Sequence, residues 1–393
     1  SAKQQREITE AVQVAQLWID PVTTLDAPSG TGLAWSRAEW VEATMPMWHS
    51  LVEPVSSGVT AAVTDALKDQ MGKLSSEGLG GEGGLPQIEG LDLGGLLDQV
   101  RPAMEQLAGS MFSAQLGHGV GALAGDVLTG TEVGLPLLST EDIAILPTNI
   151  HAFTDGLEIE ESQVRLYLAV REAARARLFA AVPWLGPQLA AAVRDYARNI
   201  TIDTDAIEEQ VRSMDIQNPA AMQEALQHKL FSPTPTPEQQ AALGRLETSL
   251  ALVEGWVDAV VDAAAAGPLP HAVALRETVR RRRASGGPAE QTFATLVGLQ
   301  LRPRRLREAA ALWAAVTEAR GLEGRDALWA HPDLLPGATD LDDPSAYAGT
   351  VGPAGAGTDW DAGLRDLDKD LDGRLDDDAH GEDPDATGGS AAG

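Results

Sequence analysis

The sequence predicts a mainly α-helical protein with many helices, little or no sheet, and a disordered acidic C-terminal tail. Two observations support this prediction. Ala, Leu, Glu, Arg and Gln, which are strong helix formers, dominate the long segments of the chain. Residues 340–393 instead contain 15 acidic residues against Arg365, Lys369 and Arg374, with few aliphatic residues, and such a composition favours disorder.

Changes in composition divide the chain into four regions. These are an N-terminal helical region (1–71), a flexible glycine-rich linker (72–95), a helical core (96–339) and the acidic tail (340–393). The linker is assigned from the glycine run over 78–84, because glycine-rich segments behave as flexible chains.

Helices are predicted, in order, at 4–18, 37–71, 159–182, 186–198, 204–213, 219–229, 237–265, 270–284, 288–299 and 303–320. The second begins at Ser36, with Glu39 at the spacing of a capping box. Breaks are expected near Pro46 and Pro54, since proline removes a helical hydrogen bond. Pro237 suits the first turn of its helix.

The segment 107–128 is dotted with glycines near helical spacing, Gly117 and Gly121 among them. Its pattern predicts a buried helix whose backbone lies close to a neighbour. Extended structure is indicated only at 135–138 and 143–150, so any sheet should be small.

The composition of the 393 residues excludes several classes of function. Without cysteine, the chain has no disulfide, no thiolate metal site and no cysteine nucleophile. A formal net charge of −29 argues against a broad nucleic-acid-binding face, which needs clustered Lys and Arg. No apolar run of about 18 residues could span a membrane, and residues 1–10 lack a signal-peptide core. We therefore expect a cytoplasmic protein that binds neither nucleic acid nor membranes.

Two predicted helices carry ionisable residues inside apolar patterns. In 159–182, Glu172 and Arg175 share one helical face with Leu168 and Phe179; in 237–265, Glu254 and Asp258 lie four apart among Leu, Val and Trp. A carboxylate in such a run must find a partner or it becomes protonated. From the residue types alone, a buried Arg–Glu network that ties two helices together is the favoured interpretation.

Several blocks resemble the actinobacterial zincin-like metallopeptidase family, whose members are often labelled zinc-dependent metalloproteases or proteins associated with deazaflavin-coenzyme biosynthesis. The blocks are residues 171–185, 250–258, 35–44, 280–293, 301–307 and 329–336. They extend over roughly residues 10–345 without the linker. The resemblance implies a multi-helix zincin-like fold.

The resemblance also implies a site in which two His on one helix bind zinc, a Glu between them is the general base, and a later helix supplies a third ligand. On this chain Glu172 matches the general base and Glu254 matches the third ligand. Asp258 matches a residue that supports this ligand without binding the metal. The two His positions fall on Arg171 and Arg175, of which the first is often Arg in the family. A guanidinium offers no lone pair to zinc.

These substitutions predict a degenerate metal site that holds no zinc, in a protein that is catalytically inactive and binds an unidentified peptide or protein. We expect the Arg175 guanidinium to replace both the imidazole and the metal by pairing with Glu254 or Glu172. One alternative is an active metal-dependent hydrolase with a carboxylate-rich site of Glu172, Glu254 and Asp258, with His151 brought in by the fold. Another is a purely structural protein.

Two further features have weaker functional interpretations. Two basic clusters, 280–283 and 302–307, are expected to pair with acidic helices or with the tail rather than to bind phosphate. In the tail, an incomplete EF-hand pattern predicts at most a weak Ca²⁺ site at Asp368, Asp370, Asp372 and Asp376. The bidentate Glu that such a loop needs at its twelfth position is replaced by Ala379.

Overall fold

The computed structural model describes residues 1–54, 113–138, 141–198, 237–284 and 305–350, together with the single positions 57, 106, 109 and 110. Several predictions fall outside the described residues. They concern the linker, the helices at 204–213, 219–229 and 288–299, the tail beyond residue 350 and its four aspartates.

The described residues confirm the mainly α-helical class. The helices are α1 (Ala2–Ile19), α2 (37–54), α3 (113–124), α4 (Pro147–Thr154), α5 (Glu161–Ala181), α6 (Leu185–Arg198), α7 (Pro237–Ala265), α8 (Ala272–Ala284), α9 (Leu306–Asp326) and α10 (Pro344–Thr350). Short 3-10 turns lie at Asp20–Val22, Ala327–Ala330 and Pro332–Leu334. None of the helices described is long and apolar enough to cross a membrane.

Two three-residue strands form a small parallel sheet between distant parts of the chain. Strand β1 (Gly32–Ala34) pairs with β2 (Ile143–Ile145), with Leu33 opposite Ala144. The second strand lies within the predicted extended region 143–150, whereas Pro147 already begins α4. The first strand was not predicted, because three residues are too few to show an alternating pattern.

The second helix starts at the predicted cap but does not break at Pro46. The Ser36 hydroxyl accepts a hydrogen bond from the Glu39 amide, and the Glu39 carboxylate accepts one from the Ser36 amide. The helix then continues through Pro46 to residue 54, so the break predicted near Pro46 is wrong, whereas the residues that directly follow Pro54 lie outside the described part of the chain. Trp40 and Trp48 are fully buried on its inner face, and their packing stabilises the helix across the missing hydrogen bond.

The expected close approach at the glycines of α3 is also wrong. Gly117 and Gly121 are exposed, and a side chain built on either would meet no atom within 4 Å. The opposite face of the helix, with Leu116, Val120 and Leu123, is buried instead. The glycines therefore lie on the surface because the apolar residues determine which face turns inward.

The core forms where α5, α7 and α9 pack together, with α1 against α5. Gly255 of α7 permits a close contact between α7 and α9, since a Cβ at this position would lie 2.7 Å from the Cβ of Ala309 on α9. One turn away, the Trp313 indole donates to the Leu252 carbonyl at 2.8 Å. The two long helices are thereby held at a fixed distance.

Residues 341–348, which fall within the predicted tail, pack against the rest of the described structure. Leu341 is fully buried, and α10 packs against α9. The Arg305 guanidinium at the start of α9 pairs with Asp342 and donates to the Ala338 carbonyl at 2.6 Å. The acidic residues that begin the predicted tail therefore belong to the packed structure.

Candidate functional site

The structure brings all five predicted site residues into one buried cluster between α5 and α7. Arg171, Glu172, Arg175, Glu254 and Asp258 are each 5% exposed or less. We call this group, together with the α8 arginines described below, the arginine–carboxylate cluster. The two helices pack against each other, so residues some 80 positions apart in the chain come within hydrogen-bond distance.

Glu172 is held by the loop that follows α3. One carboxylate oxygen accepts from the Thr131 amide at 2.7 Å and from the Thr131 hydroxyl at 2.9 Å. The other accepts from the Thr129 hydroxyl at 2.8 Å and from Arg175 at 2.7 Å. A side chain on Gly130 would lie 3.3 Å from this carboxylate, so glycine leaves the loop close to it. Every oxygen of Glu172 is thereby engaged.

Arg175 joins the two helices by contacting a glutamate on each. Its Nη1 lies 2.7 Å from Glu172 Oε2 on its own helix. Its Nε and Nη2 lie 3.0 and 3.2 Å from the two oxygens of Glu254 on α7, which is the fork geometry of strong arginine–carboxylate pairs. The ion pairs predicted for Arg175 are confirmed with both glutamates.

Arg171 makes the parallel connection one turn away. Its Nη1 donates to Asp258 Oδ1 at 2.5 Å, and its Nη2 donates to Glu254 Oε2 at 3.1 Å. The spacing of four between Glu254 and Asp258 places both carboxylates on the face of α7 that meets α5. Two arginines and three carboxylates thus alternate along the helix interface.

Two arginines from α8 complete the cluster on its outer side. Arg280 Nε and Nη2 lie 3.0 and 2.9 Å from Asp258 Oδ2, and Arg283 pairs with Glu254 Oε2. Arg282 of the same turn pairs with Glu132 at 2.6 Å and with Asp126 at 2.8 Å. The expected pairing of 280–283 with acidic residues of the fold is confirmed for these three side chains.

The electrostatic balance of the cluster keeps Glu254 and Asp258 ionised. Burial alone would raise the pKa of Glu254, but the charges of Arg175, Arg283 and Arg171 outweigh it and hold that pKa below its ordinary value. Burial likewise opposes ionisation of Asp258, yet Arg171 leads the interactions that lower its pKa. Ionised carboxylates and guanidiniums therefore stabilise each other in a site that water does not screen.

These shifts predict an acid-sensitive fold. A carboxylate whose pKa is lowered by folding contributes stability above its unfolded pKa and loses it as the pH falls through the folded value. The unfolding midpoint in urea should therefore be level near neutral pH and should fall once the pH drops below about 4.5, the ordinary value for Glu254. In the Asp258→Asn variant this fall should be shallower. A wild-type midpoint that stays level down to about pH 3, roughly 1.5 units lower, would contradict the prediction.

The cluster does not fit a zinc ion. Among the described residues, no three His, Cys, Asp or Glu side chains are arranged to hold a metal. The oxygens of Glu172 and Glu254 face guanidinium groups, and Arg175 lies between them where a ligand and a cation would both be needed. Guanidinium donates hydrogen bonds and offers no lone pair to a metal. The positive charge that the carboxylates require comes from the chain itself.

His151 does not join the site. Its side chain is 82% exposed on α4, and its Nδ1 lies 2.9 Å from Glu161 Oε2. The carboxylate-rich site that the alternative required does not receive this histidine, because α4 presents it to solvent.

The residues that hold Glu172, Thr129 and Thr131, were not predicted. They precede the site residues by about 40 positions, and a threonine in a loop carries no signal of its eventual partner. Asp326, which accepts hydrogen bonds from three segments of the chain, was not predicted either. Arg280 was singled out only as one of a basic cluster, whereas its partner Asp258 was assigned to another helix.

Comparisons with known proteins agree with this architecture. A family model described as Zincin-like metallopeptidase matches residues 1–348. A solved structure from Chloroflexus aurantiacus, described as a proposed hydrolase with a novel fold, is similar with a TM-score of 0.55 and 19% sequence identity. The similarity covers 88% of this chain and 89% of that one, and at this identity it shows a shared fold alone. No curated protein matches the chain.

Proposed function

The chain belongs to the zincin-like metallopeptidase family, and we propose that it is a non-catalytic member in which the arginine–carboxylate cluster replaces the metal centre. In this proposal the protein binds a peptide or protein at the position where the family resemblance implies a zinc site. The observation that carries the proposal is the position of Arg175, whose guanidinium contacts Glu172 and both oxygens of Glu254.

The environment of Glu172 supports the loss of catalysis. A general base needs an oxygen that can take a proton from the attacking water. Both oxygens of Glu172 instead accept hydrogen bonds from Thr129, Thr131 and Arg175, and the residue is 1% exposed. A carboxylate in this setting orients its neighbours, and it has neither the access nor the free acceptor that proton transfer requires.

The same burial favours a second candidate, a purely structural cluster. Glu254 and Asp258 are also covered, at 3% and 4% exposure, so a ligand could reach them only if the cover opened. The two candidates differ in one respect. In the binding candidate a partner can displace the residues that cover Glu254 and Asp258, whereas in the structural candidate these residues stay in place.

The first experiment measures metal content and peptidase activity of the full chain. After dialysis against zinc and removal of loosely held metal, the wild type should retain far less than one equivalent. On a mixed peptide substrate it should hydrolyse no faster than the Glu172→Gln variant. The physical reason is that Arg175 fills the space and supplies the charge that a metal would provide.

The Arg175→His variant serves as the matched comparison. It removes the blocking cation and supplies an imidazole beside Glu172 and Glu254, which are acceptable zinc ligands. Saturating zinc should raise its melting temperature by about 5 °C and leave that of the wild type unchanged. The proposal fails if wild type binds zinc stoichiometrically, or if Glu172→Gln abolishes a measurable activity.

A further inference from the structure

The α8 helix is attached to the rest of the fold largely through charges. Among its described side chains, Leu275 and Val279 are the buried hydrophobic ones, while Val273 is 64% exposed. Its arginines form ion pairs with other elements of the fold. Arg276 pairs with Asp262 at 2.7 Å, and Arg280 in the last turn pairs with Asp258 of the cluster. Because α8 buries few apolar side chains, much of its attachment depends on the ion pairs of Arg280 and Arg283 with the buried carboxylates Asp258 and Glu254.

The two arginines that α8 gives to the cluster are its most accessible members. The side chains of Arg280 and Arg283 are 22% and 15% exposed, against 6% and 2% for Arg171 and Arg175. Arg171 and Arg175 belong to α5, which lies within the core. Arg280 and Arg283 belong to α8, which lies on the outer side of the cluster. The cluster therefore has a fixed half and a half that α8 supplies from outside.

Removal of the α8 arginines would leave the site short of positive charge. Glu172, Glu254 and Asp258 would then face only Arg171 and Arg175 among the cluster residues, and an uncompensated buried carboxylate is strongly unfavourable. Any group that takes the place of Arg280 and Arg283 must therefore be cationic. The formal net charge of −29 attracts basic partners at long range.

From these contacts we infer that Arg280 and Arg283 occupy an exchangeable binding site for a partner helix that presents two basic side chains three residues apart. Three positions of an α-helix separate neighbours on one face, which is how α8 itself reaches both Glu254 and Asp258. The ligand class is a basic helical segment with an Arg-x-x-Arg pattern. This inference rests on the proposed binding function and names the chemistry of its ligand.

The test uses a 13-residue peptide with the sequence of α8, residues 272–284, and full-length protein. In the Arg280→Gln/Arg283→Gln variant α8 binds the buried carboxylates less tightly. The state in which α8 has left the cluster is then more populated, so the apparent affinity for the peptide rises. The variant should bind the peptide at least about tenfold more tightly than wild type. A peptide with glutamine at the positions of Arg280 and Arg283 should lose this gain.

Arg281→Gln is the matched control. It removes one positive charge from the same turn, but Arg281 is exposed and forms no ion pair with the described residues. Peptide affinity in this variant should equal that of wild type. Equal affinity in the double variant and in the control, with both folded by circular dichroism, would overturn the inference.

A second measurement applies if the double variant does not fold. Excess peptide should accelerate hydrogen exchange of the α8 amides in the wild type, because the peptide competes for the carboxylates beneath them. Unchanged exchange would overturn the inference in favour of a structural cluster. Either outcome is separate from the proposed loss of catalysis, which is decided by zinc content and peptidase activity.

Discussion

Replacement of Glu254 by glutamine should lower the free energy of unfolding by about 3 to 5 kcal/mol, because it leaves buried cations without their shared partner. Glu254 contacts Arg171, Arg175 and Arg283, more of the cluster arginines than any other carboxylate does. Loss of its charge leaves four guanidiniums to two carboxylates in a site that water screens poorly. Urea unfolding at neutral pH measures the loss.

Two variants show whether the loss comes from this cluster. Glu318→Gln removes the same charge from an exposed position of α9 and should change stability by less than about 0.5 kcal/mol. The double variant Glu254→Gln/Arg175→Met removes a cation together with its partner and should be more stable than Glu254→Gln alone. If the loss of stability in the double variant equals the sum of the losses in Glu254→Gln and Arg175→Met, then Arg175 and Glu254 are not energetically coupled.

Replacement of Asp326 by asparagine should cost about 3 kcal/mol, although the two side chains have the same shape. Asp326 is 3% exposed at the end of α9 and accepts from groups on three segments. These are the Thr23 hydroxyl at 2.7 Å, the Thr24 amide at 2.8 Å, the Trp256 indole at 2.9 Å and the Arg325 Nε at 2.7 Å. The amide of asparagine would turn a donor toward groups that are themselves donors.

Asp333→Asn is the control for this effect, since the Asp333 side chain is 90% exposed. Both variants should be compared by urea unfolding at neutral pH. Asp326 carries a lowered pKa: burial opposes ionisation, and Arg325 leads the hydrogen bonds and charges that outweigh it. A loss below about 1 kcal/mol for Asp326→Asn would show that the junction of α9 with Thr23 and Trp256 tolerates neutralisation.

Much of the helical architecture could be predicted from local chemistry. The bounds of α7 follow from Pro237 at its start and a run of strong helix formers. Helix α5 ends at Ala181, two residues before Pro183. The same reasoning found Glu172, Glu254 and Asp258, because a carboxylate inside an apolar run must be buried and must be paired. The errors at Pro46 and at the α3 glycines arose where packing outweighed a local preference.

The sequence by itself determined the helical class, the family and the arginines that stand where zinc ligands are expected. Only the tertiary structure decided that Arg280 and Arg283 complete the site, that Thr129 and Thr131 hold Glu172, and that Asp326 joins α9 to the N-terminal segment. The physical reason is that helix formation depends on neighbours within a few residues. An ion pair between Arg171 and Asp258, 87 positions apart, depends on how whole helices pack.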